Sequence, residues 1–188
     1  MPRLLAALLT ATALCTGLAA CANMPAATAA APQPAKAVDA AKFYNGVWYE
    51  LARNPMKITD GCVAGITVFS HDASGRLIDR DSCRMGDPDL GKKKVLAGPV
   101  TIEDPSSNAK FTSHYKVFGV FTVNRTYWVL DHDAAYTWFI VATPDFKNLS
   151  IFARDANLGR AERGALTERA RALGYDPAGL EYPAQPKS

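Results

Sequence analysis

Few residues of this 188-residue chain belong to types that do chemistry, and spacing limits what those few can do. The three histidines, His71, His114 and His132, are scattered, without the His-x-x-x-His or Cys-x-x-Cys spacing that brings two ligands to one metal. Asp131-His132-Asp133 could hold an ion weakly, though an Asp-rich turn accounts for the same residues. No Gly-x-Ser-x-Gly elbow or phosphate loop is present. What remains is the chemistry of the four cysteines, Cys15, Cys21, Cys62 and Cys83, and a carboxylate, Glu50, inside an alternating stretch that runs Gly46-Val47-Trp48-Tyr49-Glu50-Leu51-Ala52-Arg53. Read as a strand, that stretch puts Trp48, Glu50 and Ala52 on one face and Tyr49 and Leu51 on the other. If Trp48 faces a core, so does Glu50. It then either orients a ligand headgroup or meets a buried arginine or tyrosine hydroxyl, since an unpaired buried charge is costly. No cofactor, metal or catalytic set is expected.

The first two cysteines lie in a segment that reads as targeting. Residues 1–20 combine one arginine, an apolar Leu/Ala run and small residues at the end, the pattern of a secretory signal peptide. The run is broken by threonines and short for a bilayer span. Leu18-Ala19-Ala20-Cys21 resembles the lipobox of bacterial lipoproteins, which implies lipidation of Cys21 and a membrane anchor through the mature N-terminus. Plain secretion, with cleavage at a small-x-small site, would discard Cys21 instead. Ala22 after the cysteine implies, by the same resemblance, sorting to the outer membrane, facing the periplasm. Residues 21–42 are Ala- and Pro-rich with few large apolar side chains, and are expected to be a flexible tether spanning roughly 25 Å. A short helix over Ala35–Lys42 is the alternative. With 21 basic and 18 acidic residues the charge is too balanced to argue for nucleic acid. Lys92-Lys93-Lys94 reads as a solvated face, without the interleaved aromatics that stack on bases.

With Cys15 removed and Cys21 lipidated, Cys62 and Cys83 remain as a pair in an oxidising compartment. They flank the turn-like His71-Asp72-Ala73-Ser74-Gly75-Arg76. In a hairpin whose paired residue numbers sum to about 145, Cys62 stands opposite Cys83 and a cross-strand disulfide is expected. Two unpaired buried thiols are the alternative.

These cysteines belong to a series of eight strand candidates: 47–53, 63–71, 76–83, 94–102, 110–115, 126–131, 136–142 and 149–154. Turn residues separate them, as in Asp104-Pro105-Ser106-Ser107-Asn108. From Leu158 the period changes: Leu158, Ala161, Ala165, Leu166, Ala170 and Leu173 recur at helical steps, and Gly174 is the expected C-cap. Close spacing implies antiparallel hairpins. Cysteines that embrace one hairpin, with no tryptophan between them, favour a barrel over an immunoglobulin-like sandwich. The expected fold is all-β, an eight-stranded antiparallel up-and-down meander barrel with one C-terminal helix packed outside and a Pro-containing tail. The domain is expected over residues 43–188.

Phe43-Tyr44-Asn45-Gly46-Val47-Trp48-Tyr49-Glu50 resembles the Gly-x-Trp motif that opens lipocalins, and Arg53-Asn54-Pro55 continues its bacterial form. Val129-Leu130-Asp131-His132-Asp133 with Tyr136 resembles the second motif of that family, and Arg154 the arginine that closes the last strand. The chain departs from many members at Ile58-Thr59-Asp60-Gly61, and carries Ser150 and Phe152 where a tryptophan is common. The resemblance, over about residues 43–185, is to bacterial lipocalins of the outer membrane. It implies an envelope carrier of fatty acids or lysophospholipids rather than an enzyme. A filled, structural barrel lipoprotein is the alternative; an enzyme with a free cysteine in its cup is a remoter one, which a Cys62–Cys83 bridge would remove.

On this reading Gly46, Trp48 and Arg154 form the barrel floor, with Arg154 over the indole in a cation–π contact. Parity from Arg154 turns Phe152 and Ser150 inward, so they join Glu50 as candidate ligand contacts. The stretch Tyr115-Lys116-Val117-Phe118-Gly119-Val120-Phe121-Thr122-Val123 is too apolar for an ordinary hairpin loop. Either it lengthens the fifth and sixth strands, or Phe118 and Phe121 form a hydrophobic rim for lipid.

Overall fold

The computed structural model describes residues 30–186. Eight strands, β1 (Gly46–Arg53), β2 (Cys62–His71), β3 (Leu77–Met85), β4 (Lys93–Ile102), β5 (Lys110–Val117), β6 (Phe121–His132), β7 (Trp138–Ala142) and β8 (Leu149–Ala153), pair in sequence order, and β1 closes on β8. Every pairing is antiparallel. Side-chain carboxylates make the turns: Asp72 accepts from the backbone N–H groups of Ser74 and Arg76, Asp104 from that of Lys110, and Asp133 from those of Thr137 and Trp138.

Two helices follow the same logic at different scales. The short α1 (Ala40–Phe43) is capped by Asp39, whose Oδ1 accepts from the Ala41 and Lys42 N–H groups. The long α2 (Arg160–Ala172) starts where Glu162 accepts from the Gly159 N–H and ends before Gly174, whose φ of +90° a side chain would oppose. Its buried stripe is narrower than the sequence periodicity suggests. Leu166 and Ala170 pack on Leu51, Ala52 and Ile151 outside the barrel, whereas Ala161 and Ala165 face solvent. No helix among the described residues is long and apolar enough to cross a membrane.

Three expectations change. Cys62 is bonded to Cys83, but its strand partner is Met85. A bulge between Val63 and Ile66, with Ala64 at φ +49°, shifts the register beyond it, so Ile66 faces Ser82. Second, residues 30–42 lie on the barrel and do not hang free as a tether. The Ala31 N–H reaches Pro144 O at 3.0 Å, Val38 reaches Ser107 O at 2.7 Å, and Lys36 forms an ion pair with Asp131 at 2.6 Å. The helix there is Ala40–Phe43, not Ala35–Lys42. Third, the tail is a strap: Arg53 and Glu181 exchange backbone hydrogen bonds, and the Ala64 N–H freed by the bulge donates to Ala184 O. The signal segment, Cys15, Cys21 and residues 22–29 lie outside the described residues.

Candidate functional site

Strand direction gives the barrel two unlike ends. At one, the starts of β1, β3, β5 and β7 meet a plug of aromatic rings. Phe43 from α1 packs edge-on against Phe139 at 4.8 Å, Trp48 against Phe139 at 4.7 Å, and Phe69 against Phe111 at 5.8 Å. Trp48 is fully buried and its Nε1 donates to Phe43 O at 3.1 Å. The Arg154 guanidinium lies over the indole, 3.4 Å from the ring centroid, and donates to Val47 O and Lys42 O at 2.6 and 3.1 Å. A Cβ on Gly46, which sits at φ +74°, would stand 3.4 Å from Arg154 Nη1. Gly46, Trp48 and Arg154 therefore seal one end of the barrel.

Above this floor the barrel is hollow, with a cavity of about 670 Å³ open at the other end. That volume is in the range of sites that enclose a small organic molecule. Ile66, Leu96, Val117, Val141 and Phe152 give it apolar wall, and Phe152 stacks on Phe139 at 4.9 Å. Ser150 also lines it.

Glu50 lines the cavity too, and its partner was not among the expected inward residues. Glu50 pairs with Phe152 and Ala52 with Ile151, so Leu51 is an extra residue in β1. The bulge reverses the parity beyond it. Ala52 joins the outer core under α2, and Arg53 turns into the cavity, where it is 2% exposed. This corrects the inward placement of Ala52. Arg53 meets Glu50 Oε2 and Glu181 Oε1 at 2.6 Å each and donates to Cys62 O at 2.8 Å. Ser150 Oγ donates to Glu50 Oε1 at 3.3 Å. Gly65 leaves the room: a Cβ there would stand 2.6 Å from Glu50 Oε2. Burial pushes the Glu50 carboxyl above its ordinary range, against the opposing pull of Arg53.

The opposite wall carries polar residues that the sequence reading passed over. Asp79 and Asp81 of β3 point inward with Ser113 and Tyr115 of β5, Thr67 of β2 and Tyr127 of β6. Asp79 is fully enclosed, and burial raises its carboxyl well above the usual carboxylate range, with the neighbouring Asp81 adding to the rise. Burial likewise raises Asp81, Tyr115 and Tyr127. A signal for this wall existed, because period two from an inward Cys83 runs through Asp81 and Asp79. Arg125 also lines the cavity; its Nη2 donates to Met56 Sδ at 3.0 Å, and it makes no ion pair among the described residues.

At the mouth, β5 and β6 extend into a hairpin that projects past the barrel. Phe118 and Phe121 are 91% and 66% exposed. Phe118 lines the cavity rim and Phe121 does not, so the two are not equivalent contacts. Lys94 and Lys116 stand at the same rim. The Cys62–Cys83 disulfide ties β2 to β3 there and leaves no thiol among the described residues. Asp131, His132 and Asp133 are spent elsewhere. Asp131 pairs with Lys36 and Arg169, and the His132 ring nitrogens lie within hydrogen-bond distance of Asp133 O and Ala37 O. The described residues hold no group of three or more His, Cys, Asp or Glu side chains placed for a metal.

Known proteins agree with this architecture. A model of the lipocalin-like domain matches residues 38–185. Insecticyanin from the tobacco hornworm Manduca sexta superposes with a TM-score of 0.65 at 19% identity, covering 82% of this chain and 85% of that one. The tryptamine complex of the amine binding protein of Rhodnius prolixus gives 0.59 at 16% identity, covering 82% and 86%. The cockroach allergen Per a 4 gives 0.59 at 17% identity, covering 85% and 97%. Comparison with curated protein sequences returned no match. Floor, hollow and closed meander together with the family match over residues 38–185 place this chain in the lipocalin family.

Proposed function

We propose that the protein carries or scavenges a single-chain amphiphile, a fatty acid or lysophospholipid, at the bacterial cell envelope. The observation that carries this reading is the cavity of about 670 Å³, sealed by Trp48 at one end and open at the other. Its apolar wall suits an alkyl chain, and lipocalins as a family bind small hydrophobic ligands. Arg125 inside and Lys94 and Lys116 at the rim supply the positive charge for a carboxylate or phosphate. The disulfide removes the cysteine nucleophile that an enzyme with a free thiol in this cup would use.

The same reading anchors the protein through lipid on Cys21, in the outer membrane and facing the periplasm. Support comes from where the first described residues sit. Ala31 is bonded to Pro144 in the β7–β8 turn, at the open end, and ten peptide steps from Cys21 reach at most about 35 Å. An anchor at Cys21 is thus within reach of the mouth, where Leu90, Phe118, Val120 and Phe121 are exposed beside Lys92, Lys93 and Lys94.

Native mass spectrometry of the purified chain tests the carrier function. A co-purified or added fatty acid or lysophospholipid is expected at one per chain; no bound lipid under any loading condition would overturn it. For the anchor, Cys21→Ser should abolish incorporation of labelled palmitate and release the protein from the membrane fraction, and persistence of both would refute the assignment.

A further inference from the structure

On the wall between β3 and β5, three hydroxyl hydrogens serve four short contacts. Ser113 Oγ donates to Asp79 Oδ2 at 2.6 Å and Thr67 Oγ1 to Asp81 Oδ1 at 2.5 Å. Tyr115 Oη lies 2.7 Å from Asp79 Oδ2 and 2.6 Å from Asp81 Oδ2. A phenol has one hydrogen, so it donates to one carboxylate, and the other contact requires a hydrogen from a carboxyl group. The aspartate pair thus holds at least one proton, and carries at most one net negative charge. No ion pair meets that charge among the described residues. The other charged and titratable groups facing this wall are Arg125 and Tyr127 on β6 and the mutually paired Glu50 and Arg53 on β1. Arg125 acts on Asp81 through space only.

A second observation points to a ligand. Asp79 Oδ1 has no hydrogen-bond partner, although Asp79 is 2% exposed and lines the cavity. A buried acceptor left without a donor is destabilising, and proteins keep such groups where something else satisfies them. Phe69, the cross-strand neighbour of Asp79, and Phe111, packed edge-on against it at 5.8 Å, line the same cavity. A carboxylate oxygen without a donor and a negative charge without an ion-pair partner, in a cavity lined by aromatic rings, together suit a cation.

The geometry points to a cation subsite in which Asp79 and Asp81 receive the primary ammonium of an alkyl amine or of an ammonium-bearing amphiphile. The subsite rests on the reading of the cavity as a place for hydrophobic ligands, and selects among them. A free fatty acid meets like charge on this wall and has only Arg125, Lys94 and Lys116 to hold it. An ammonium group entering beside Asp79 and Asp81 neutralises the pair and, with a small turn of the Asp79 carboxyl, donates to Oδ1, while its chain occupies the apolar wall above.

Matched ligands test this directly. Dodecylamine, dodecanol and dodecanoate are titrated against the full chain carrying Cys21→Ser, each displacing the uncharged fluorophore N-phenyl-1-naphthylamine near pH 7. Dodecylamine should bind about tenfold or more tightly than either analogue, the effect of one charge-assisted contact in an enclosed site. Either substitution alone leaves the other aspartate ionised, so Asp79→Asn and Asp81→Asn together should bring the amine to within about threefold of the alcohol, an affinity change too small for a surviving charged contact. Dodecanol binding should stay unchanged in the double variant, which also reports that it folds. An amine no tighter than the alcohol, or a preference that survives both substitutions, would overturn the subsite and leave a trapped water as the partner of Oδ1. If none of the three displaces the fluorophore, the hydrophobic-ligand reading fails with it.

Discussion

Arg53 and Asp79 are the two residues on which the interior depends most, for opposite reasons. Arg53 neutralises Glu50 on the cavity wall, where both side chains are largely buried, so Arg53→Ala leaves a mostly buried carboxylate unpaired. We expect a loss of about 3–5 kcal/mol in urea unfolding, largely recovered when Glu50→Gln is added. An additive double mutant would contradict the pairing. Asp79 is the reverse, a group whose removal should stabilise. Its carboxyl is raised in the folded chain, so above the unfolded value of about 4 the folded state holds a proton that the unfolded state releases. The contribution of Asp79 to stability is therefore full at low pH and declines as pH rises toward the folded value. Asparagine does not titrate, so Asp79→Asn should gain on the wild type between about pH 4 and pH 8 in parallel urea titrations. A difference that stays constant across that range would show that the carboxyl is not raised. Of these two residues, the sequence revealed neither. Arg53 is turned inward by a bulge at Leu51, and period-two reasoning has no means of seeing an inserted residue. Asp79 and Asp81 lay on the face that Cys83 defines. Charged side chains on a strand are ordinarily read as solvent-facing, because burying them is costly. Trp48 and Arg154 were legible because they stand where the Gly-x-Trp motif and the closing arginine of lipocalins stand, and parity counted from Arg154 then turned Phe152 and Ser150 inward.

At the scale of elements, turn chemistry and alternation located all eight strands, because each ends on residues that make its turn locally. The largest misjudged boundary is the start of β6, expected at Thr126 and found at Phe121. There the β5–β6 hairpin leaves the barrel and exposes both faces, so the in–out alternation that marks a strand is missing. Residues 30–42 escaped notice for a related reason: they dock through backbone hydrogen bonds and single side chains such as Val38, with little apolar area to signal it. The C-terminal strap is the other element that sequence periodicity does not show. Ending the chain after Leu180 removes the Glu181 and Ala184 contacts to the two bulged strands. Hydrogen exchange at the Arg53 and Ala64 amides should then rise from protected to near-surface rates, with about 1–3 kcal/mol lost overall. Unchanged protection would mean that the strap contributes nothing. The disulfide closes a loop with a sequence separation of 21, so replacing Cys62 and Cys83 together by serine should cost about 3 kcal/mol.

The whole molecule is asymmetric along the barrel axis. Aromatic rings and the Arg154 clamp close one end, whereas exposed apolar side chains and lysines crowd the other. If that mouth meets the membrane, Phe118→Ser with Phe121→Ser should slow fatty-acid exchange with vesicles severalfold, and the fold and the equilibrium affinity should be preserved, since neither side chain is buried. Unaltered transfer kinetics would remove the rim from the account. The central claim is that ligand occupies the hollow between floor and rim, and it is tested most directly by filling that hollow. Ser150 points into the cavity beside Phe152, so Ser150→Phe places a ring in the space proposed for the alkyl chain. Titration with dansyl-labelled undecanoic acid should saturate at one per wild-type chain and be weakened tenfold or more, about 1.4 kcal/mol, in the folded Ser150→Phe variant. Equal binding by the two proteins, or no saturable binding by the wild type, would contradict it.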